Sequence, residues 1–260
     1  MLSTLTTSNA FVLFGSGPGI GLHVAARFAQ NQFEHVILLS RNRDRLEEDA
    51  ADVRAARPGV KVTVIACDLS SLQSVREALA NIDQVLQSDG TTLEVVCFNA
   101  ARVQPTDLLI ATPEEYETDF KVSGLCLYDR CPRQCINAIQ ITNSALLAVS
   151  QWAMPRFQRA LRSKLSAPYK PTLLVTAGFL HRQPIPQLFS LSAVKAAQYN
   201  LVTSLHEVFR PQGIHVALAL VGGSVSTQAK NLNPSNIANT MWQLYSQDEA
   251  QWSKECEILE

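Results

Sequence analysis

Short runs of β-branched and apolar residues alternate with longer helical patterns along most of this chain. The strand-like runs are 10–14, 35–39, 60–66, 93–98, 172–176 and 214–221. Helical periodicity covers 19–31, 42–56, 71–88, 113–121, 142–161 and 189–209, and a tail helix is predicted at Pro234 with Asn233 as its cap. Because such alternation builds βαβ units with right-handed crossovers, it predicts an α/β fold, a doubly wound parallel sheet flanked by helices.

Composition favours one well-covered core. Apolar residues make up 47% of the 260 residues and charged residues 17%, against roughly 25% charged in average domains. No linker or repeat divides the chain, so a single domain over 1–260 is predicted. A net charge of −1 argues against a nucleic-acid partner, and no apolar run is long enough to cross a membrane. Six cysteines without a signal peptide predict reduced thiols and a cytoplasmic location.

The segment 122–140 breaks the pattern. It has weak helical order and contains Cys126, Cys131 and Cys135. Three cysteines at irregular gaps, without histidine, do not match a zinc site, so no metal is expected. An inserted loop is the main interpretation, because without this segment the flanking residues would join as one amphipathic helix. A translated intron is the alternative.

The stretch FGSGPGIG follows the first predicted strand and opens the first predicted helix. Gly15, Gly19 and Gly21 allow a tight turn and let backbone N–H groups approach a pyrophosphate at the helix N-terminus. This placement predicts a Rossmann-like dinucleotide site.

The end of the second strand is basic. An NAD site usually has an acid here for the ribose 2′-OH, whereas this chain has Ser40 and Arg41, with Arg43 and Arg45 close behind. Arginine can hold a 2′-phosphate through charge-assisted hydrogen bonds, which favours NADP(H). The alternative is a solvated basic helix start.

These motifs together resemble the short-chain dehydrogenase/reductase family over nearly the whole chain. CDLS matches the family's Asp-Leu after strand three, FNAA its Asn-Asn-Ala-Gly turn, ITNSALL its helix asparagine, and VGGSVST its loop at the nicotinamide amide. The resemblance implies a small-molecule substrate and a homo-dimer or homo-tetramer. It also implies these cofactor-binding residues: Gly15, Ser16, Gly19, Ile20, Gly21, Ser40, Arg41, Arg45, Asp68, Leu69, Asn99, Ala100, Lys195, Val225 and Thr227.

The resemblance breaks at the catalytic centre. The family uses Tyr-x-x-x-Lys and an upstream serine, with the tyrosine passing a proton to or from the substrate oxygen. Lys195 fits the lysine and Asn143 the helix asparagine, but Leu191 stands at the tyrosine position. The serine position falls on Ala177 or Gly178, neither of which has a hydroxyl. Leucine cannot donate a proton, so ordinary carbonyl reduction by this route is not expected.

Other groups near the predicted site could replace the missing proton donor, namely Thr176, His181, Ser190 and Ser192. A protonated imine needs no phenolic acid, and fungal biosynthetic members, which the loop QPIPQLFSLS resembles, reduce an iminium or shape a cyclisation. We therefore expect an NADP(H)-dependent oxidoreductase with an altered proton relay, acting on a small molecule of secondary metabolism. The alternatives are an NADP(H)-binding pseudoenzyme and a cyclase on the same scaffold.

Overall fold

The computed structural model describes residues 8–101, 140–163 and 169–260. Its strands are β1 (Asn9–Phe14), β2 (His35–Ser40), β3 (Lys61–Ala66), β4 (Thr92–Phe98), β5 (Thr172–Gly178), β6 (His215–Val221) and β7 (Glu255–Ile258). Its α-helices are α1 (Ile20–Asn31), α2 (Arg43–Ala56), α3 (Leu72–Asp89), α4 (Ala145–Arg162), α5 (Phe189–Phe209) and α6 (Pro234–Ser246). The predicted helix 113–121, the three cysteines of the irregular segment and all of 122–140 except its last residue lie outside the described residues.

One sheet unites the seven described strands in the order β3-β2-β1-β4-β5-β6-β7, and every pair is parallel. This is the predicted doubly wound α/β fold. The short strand β7, ECEI, was not predicted, because its alternating charged and apolar residues give only half an apolar face.

The sheet is buried on both faces, which explains the apolar composition. One face packs against α3, α4 and α5 through residues such as Phe14 and Phe98. The other packs against α1, α2 and α6, where Phe11 and Phe28 stack with ring centroids 4.5 Å apart. Within the described ranges, no helix combines the length and hydropathy of a membrane span.

Side-chain caps fix where several helices begin. Asn42 starts α2 by accepting the backbone N–H of Arg45, and Ser71 starts α3 by accepting that of Ser74. Asn233 caps α6 with Pro234 in its first turn, as predicted from the sequence. A π-helical turn over Gln140–Ser144 leads into α4. It replaces the regular start that the periodicity of 142–161 predicted.

Candidate active site

The parallel sheet brings the predicted site residues to one edge. Since the seven described strands all run the same way, their carboxyl ends share that edge, where ligands bind in doubly wound folds. The order places β1 between β2 and β4, so the chain reverses its winding direction between β1 and β4. The residues that follow the strand ends are the glycine loop, Arg41, Asp68, Asn99 and the loop of Val225 and Thr227.

The glycine loop, residues 15–21, lies directly against the turn after β4. Gly15 has φ +93°, and a Cβ there would lie 2.7 Å from the backbone nitrogen of Ala100. A Cβ on Gly21 would lie 2.6 Å from the carbonyl oxygen of Gly15. Neither position tolerates a side chain, because the obstructing atoms are backbone.

Gly17 and Gly19, in contrast, have open space where a Cβ would stand. Gly19 is the N-cap residue of α1 and gives the helix no side-chain cap. The loop therefore packs closely against the protein at Gly15 and Gly21. At Gly17 and Gly19, beside the N-terminus of α1, no neighbouring side chain in the described part of the chain covers it. This cradle fits the pyrophosphate of a dinucleotide.

Asn99 connects the ends of three strands. Its side-chain amide donates to the Gly15 carbonyl at 3.0 Å, and its carbonyl oxygen accepts the Thr176 hydroxyl at 2.9 Å. The Asn99 backbone N–H also donates to the Phe14 carbonyl at 2.8 Å. Because the Thr176 hydroxyl already donates its hydrogen bond to Asn99, it is not free to protonate a substrate.

Ser16 and Arg45, both predicted to bind cofactor, are joined through a buried acid that sequence reasoning missed. The Ser16 hydroxyl donates to Asp49 at 2.6 Å, and its backbone N–H donates to the Leu39 carbonyl. Arg45 pairs with Asp49 at 2.8 Å and also with Glu48. Asp49 has no exposed surface. The i,i+4 spacing of Arg45 and Asp49 on one helix could have predicted their ion pair from the sequence.

Arg41 differs from Arg45. It is exposed just past β2 and forms no ion pair with any residue in the described part of the chain. Ser40 beside it makes only a long contact, 3.5 Å, to the Asn42 carbonyl. Arg41 is consequently available for a ligand at this strand end, as is the exposed Arg43, which also forms no ion pair among the described residues.

Asp68 and Leu69 follow β3 at the same edge. The Asp68 carboxylate accepts both the backbone N–H and the hydroxyl of Ser70, at 2.9 and 2.7 Å. Leu69 is buried. After β6, Val225 and Thr227 are exposed on a loop that the hydrogen bond from Ser226 N–H to the Leu232 carbonyl closes. All four therefore border the edge, and their contact with a cofactor stays a prediction.

Lys195 lies in the second turn of α5, with 7% of its surface exposed. Its ammonium donates to the side-chain carbonyl of Gln198 at 2.8 Å, and the Gln198 amide donates to the Thr142 carbonyl at 3.3 Å. Burial lowers the pKa of Lys195 to about 8. Gln198 was missed as a functional residue, although it is a polar i+3 neighbour of the lysine.

The π-helical turn brings Asn143 to the lysine's side of α5. The Asn143 amide donates to the Val194 carbonyl at 3.1 Å. Its side-chain oxygen and the Thr142 hydroxyl are buried and have no partner among the described residues. Buried polar atoms normally find partners, and π-helical turns often occur at functional sites.

Leu191, one turn before Lys195, has 4% of its surface exposed and contributes no polar atom. Ser192 is buried and donates to the Leu188 carbonyl at 2.9 Å. Ser190 is also buried. The strand end Ala177–Gly178 carries no hydroxyl, and a Cβ on Gly178 would lie 3.2 Å from the Val221 carbonyl.

The hydrogen bonds of His181 do not favour a role as proton donor to a substrate. Its Nδ1 lies 2.9 Å from the Gly178 carbonyl, which can only accept, so Nδ1 carries a proton. Its ring stacks on Tyr199 at 4.0 Å, and the Tyr199 hydroxyl donates to Glu255 on β7 at 2.8 Å. The His181 Nε2 is buried without a partner in the described chain, and in the neutral ring it is an acceptor.

Metal and thiol chemistry find no support within the described ranges. These residues contain no group of three or more His, Cys, Asp or Glu side chains suited to a metal ion. Burial raises the pKa of the Cys67 and Cys256 thiols to about 11, so both stay protonated near neutral pH.

Comparison with known proteins agrees with this geometry. A family model described as short chain dehydrogenase matches residues 9–129, which include the glycine loop, Asp68 and Asn99 and stop before Lys195. Protochlorophyllide reductase B of Hordeum vulgare is 36% identical over 103 residues, 40% of this chain and 24% of that protein. Very-long-chain 3-oxoacyl-CoA reductase of Pyricularia oryzae is 26% identical over 231 residues, 88% of this chain and 60% of that one.

The chain thus spans less than two thirds of these curated relatives. Among solved structures, an alcohol dehydrogenase from the archaeon Thermococcus sibiricus, complexed with 5-hydroxy-NADP, superposes with a TM-score of 0.73. It is 20% identical, and the match covers 96% of this chain and 95% of that one. Other proteins of similar fold are complexed with NADP or NAD. The match over residues 9–129 and the fold are thus both similar to those of the short-chain dehydrogenase/reductase family.

Proposed function

We propose that this protein is an oxidoreductase that binds NADP(H) in preference to NAD(H) and acts on a small molecule without a phenolic proton donor. The observation that carries the proposal is the glycine loop. It packs against the Asn99–Ala100 turn where the winding of the sheet reverses, and its outer side is bare. When bound there, the dinucleotide supplies or accepts the hydride.

The preference for NADP(H) rests on Arg41. Arg45 is already neutralised by buried Asp49, whereas Arg41 is exposed and unpaired among the described residues. A guanidinium offers a 2′-phosphate charge-assisted hydrogen bonds, and a 2′-hydroxyl gains less from it. No acid stands at the end of β2 to favour the ribose 2′-OH instead.

The residues around Lys195 support the proposed substrate class. Leu191 supplies no proton, and the Thr176 and Ser192 hydroxyls donate to other protein groups. A carbonyl substrate needs a proton on its oxygen as hydride arrives, whereas an already protonated imine needs none. Lys195 and Asn143 hold and orient the ligand, and an iminium carbon is the preferred hydride acceptor.

A non-redox role on the same scaffold, as a pseudoenzyme or cyclase, is the second candidate, and the missing proton donor favours it.

A turnover assay distinguishes the oxidoreductase from the non-redox role. The purified protein is incubated with NADPH and panels of small cyclic imines, carbonyls and enones. Oxidation of NADPH with imines at mildly acidic pH supports the oxidoreductase. NADPH binding without oxidation by any panel supports the non-redox role.

A further inference from the structure

Lys195 is a buried cation whose hydrogen-bond partner is uncharged. Its ammonium donates to the Gln198 carboxamide oxygen at 2.8 Å. The Gln198 carboxamide nitrogen donates to the Thr142 carbonyl. This second hydrogen bond fixes the orientation of the carboxamide, so that its oxygen faces the lysine. Both side chains are buried, Gln198 completely. A buried ammonium held only by a neutral dipole keeps much of its desolvation cost.

The surroundings offer Lys195 no carboxylate in the described part of the chain. The elements that pack against α5 are the π-helical turn, β5, β6 and the 3₁₀ turns Phe179–His181 and Arg210–Gln212. The π-helical turn and β5 contain no titratable or charged side chain. Those on α5 itself and on its other neighbours are His181, Tyr199, His206, Glu207, Arg210 and His215, and three more reach α5 through Tyr199, namely Arg182, Lys254 and Glu255. None of these nine forms a hydrogen bond with the Lys195 ammonium, whose partner among the described residues is Gln198.

Two further groups at this place lack partners. The Thr142 hydroxyl and the Asn143 side-chain oxygen are buried beside the Gln198 bridge and bond to nothing in the described ranges. Thr142 itself has no exposed surface. The region around Lys195 is therefore polar and short of negative charge, and an anionic ligand would offset the charge of the ammonium.

We propose that Gln198 is the positioning residue of Lys195 and that Lys195 takes up a proton when the dinucleotide binds. This inference rests on the proposed function. The negatively charged dinucleotide stabilises the ammonium form, to which the described residues of the free protein offer one neutral amide, that of Gln198. Because the pKa of Lys195 in the free protein is about 8, uptake is expected near pH 8 and is absent near pH 6.5.

Isothermal titration calorimetry measures this uptake directly. NADPH is titrated into the protein at pH 8 in phosphate and in Tris, whose ionisation enthalpies differ, and the difference in heat gives the protons bound. NADH is titrated in parallel. The 2′-phosphate, with a pKa of about 6, is already ionised at pH 8, and NADH lacks it altogether. Uptake with both nucleotides therefore points to the protein.

The wild type is expected to take up about half a proton at pH 8 and more at higher pH, with Kd rising by up to about tenfold per pH unit above pH 8. Lys195→Arg keeps a permanent charge and binds without uptake. Gln198→Glu gives the lysine an acid, so uptake at pH 8 is lost, whereas Gln198→Leu retains it. The control Lys61→Met removes an exposed lysine paired with Asp89 and behaves as wild type.

Two results would overturn the inference: wild-type binding without proton uptake at pH 8, or uptake that survives Lys195→Arg. Uptake retained by Gln198→Glu would remove Gln198 from its positioning role. If folded wild-type protein binds neither NADPH nor NADH, the proposed function fails, and the inference fails with it. That pattern is distinct from binding without uptake.

Discussion

Two regions at the same edge of the sheet are built differently. In the glycine-loop region, formed by the loop 15–21 with Asn99 and Asp49, the polar side chains are matched: Asn99 both donates and accepts, and Asp49 holds Ser16 and Arg45. The lysine region is formed by Leu191, Lys195, Gln198 and the turn Thr142–Asn143. There, a buried cation has a neutral partner, and two buried oxygens have no partner among the residues that the structure describes.

The difference indicates that the glycine-loop region serves cofactor binding, whereas the lysine region, in the residues described, lacks the group that would transfer a proton. Satisfied polar networks rigidify a structure, so the glycine-loop region is preorganised for a nucleotide. The lysine region retains the cation and the asparagine, while the position that would carry an acid is apolar. We infer that the chain keeps its cofactor site and has changed the chemistry performed there. Four variants test this contrast.

The largest effect is expected from Leu191→Tyr combined with Gly178→Ser, which restores a phenol and a hydroxyl beside Lys195. A positioned general acid contributes about 10²- to 10⁴-fold, so carbonyl reduction should rise by a factor in this range. NADPH oxidation with small aldehydes and ketones measures it. Leu191→Phe with Gly178→Ser is the matched control, with the ring but no hydroxyl. Equal activity of the two variants would contradict the assigned positions.

Lys195→Met should stabilise the protein while it weakens the site. Burial lowers the folded-state pKa of Lys195 from 10.5 to about 8, so the charged form costs stability below pH 8. The cost corresponds to about 3 kcal/mol at pH 7 and disappears as pH rises from 8 to 10.5. Thermal unfolding should show a higher Tm for the variant at pH 7 and a smaller difference at pH 10. A lower Tm at pH 7 would indicate an unrecognised anionic partner.

Gly15→Ala should disrupt the glycine loop, because its Cβ would meet the Ala100 backbone and φ is positive. Strain of this kind costs about 1–3 kcal/mol, which would raise the Kd for NADPH by about 10- to 100-fold. Gly17→Ala, in the same loop with open space, is the control and should bind like the wild type. Similar losses in both variants, measured by fluorescence titration, would show that the packing on Ala100 is not what shapes the site.

Arg41→Ala should change selectivity rather than abolish binding. Loss of a charge-assisted hydrogen bond costs about 1.5–3 kcal/mol, so the Kd for NADPH should rise by about tenfold or more. NADH, without the 2′-phosphate, should be little affected. Arg43→Ala, the exposed neighbour at the start of α2, is the control. A loss for NADH as large as that for NADPH would remove Arg41 from the 2′-phosphate site.

The sequence predicted the architecture well because the strands are short apolar runs buried on both faces. Helix α5 has the predicted bounds, and Asn233 caps α6 as expected. Strand β7 was missed since only one of its faces is apolar, and the π-helical turn was missed because periodicity cannot distinguish it from an α-helix. Local patterns determine the elements, whereas these exceptions depend on tertiary packing.

Site residues were predictable where a backbone requirement or a motif selects them, as for Gly15, Asn99 and Lys195. The partners of those residues were not. Asp49 lies 33 residues from Ser16, and Thr142 lies 56 residues from Gln198, so only the folded chain brings them together. Arg41 and Arg45 looked equivalent in the sequence, and the buried acid beneath Arg45 separates them.

The central claim is that the dinucleotide site persists although the proton donor is gone. Fluorescence titration of the wild-type protein with NADPH and NADH tests it without knowledge of the substrate. We predict that both nucleotides bind at one site per chain and that NADPH binds about tenfold tighter, as one charge-assisted contact from Arg41 implies. Folded protein that binds neither nucleotide would contradict the account.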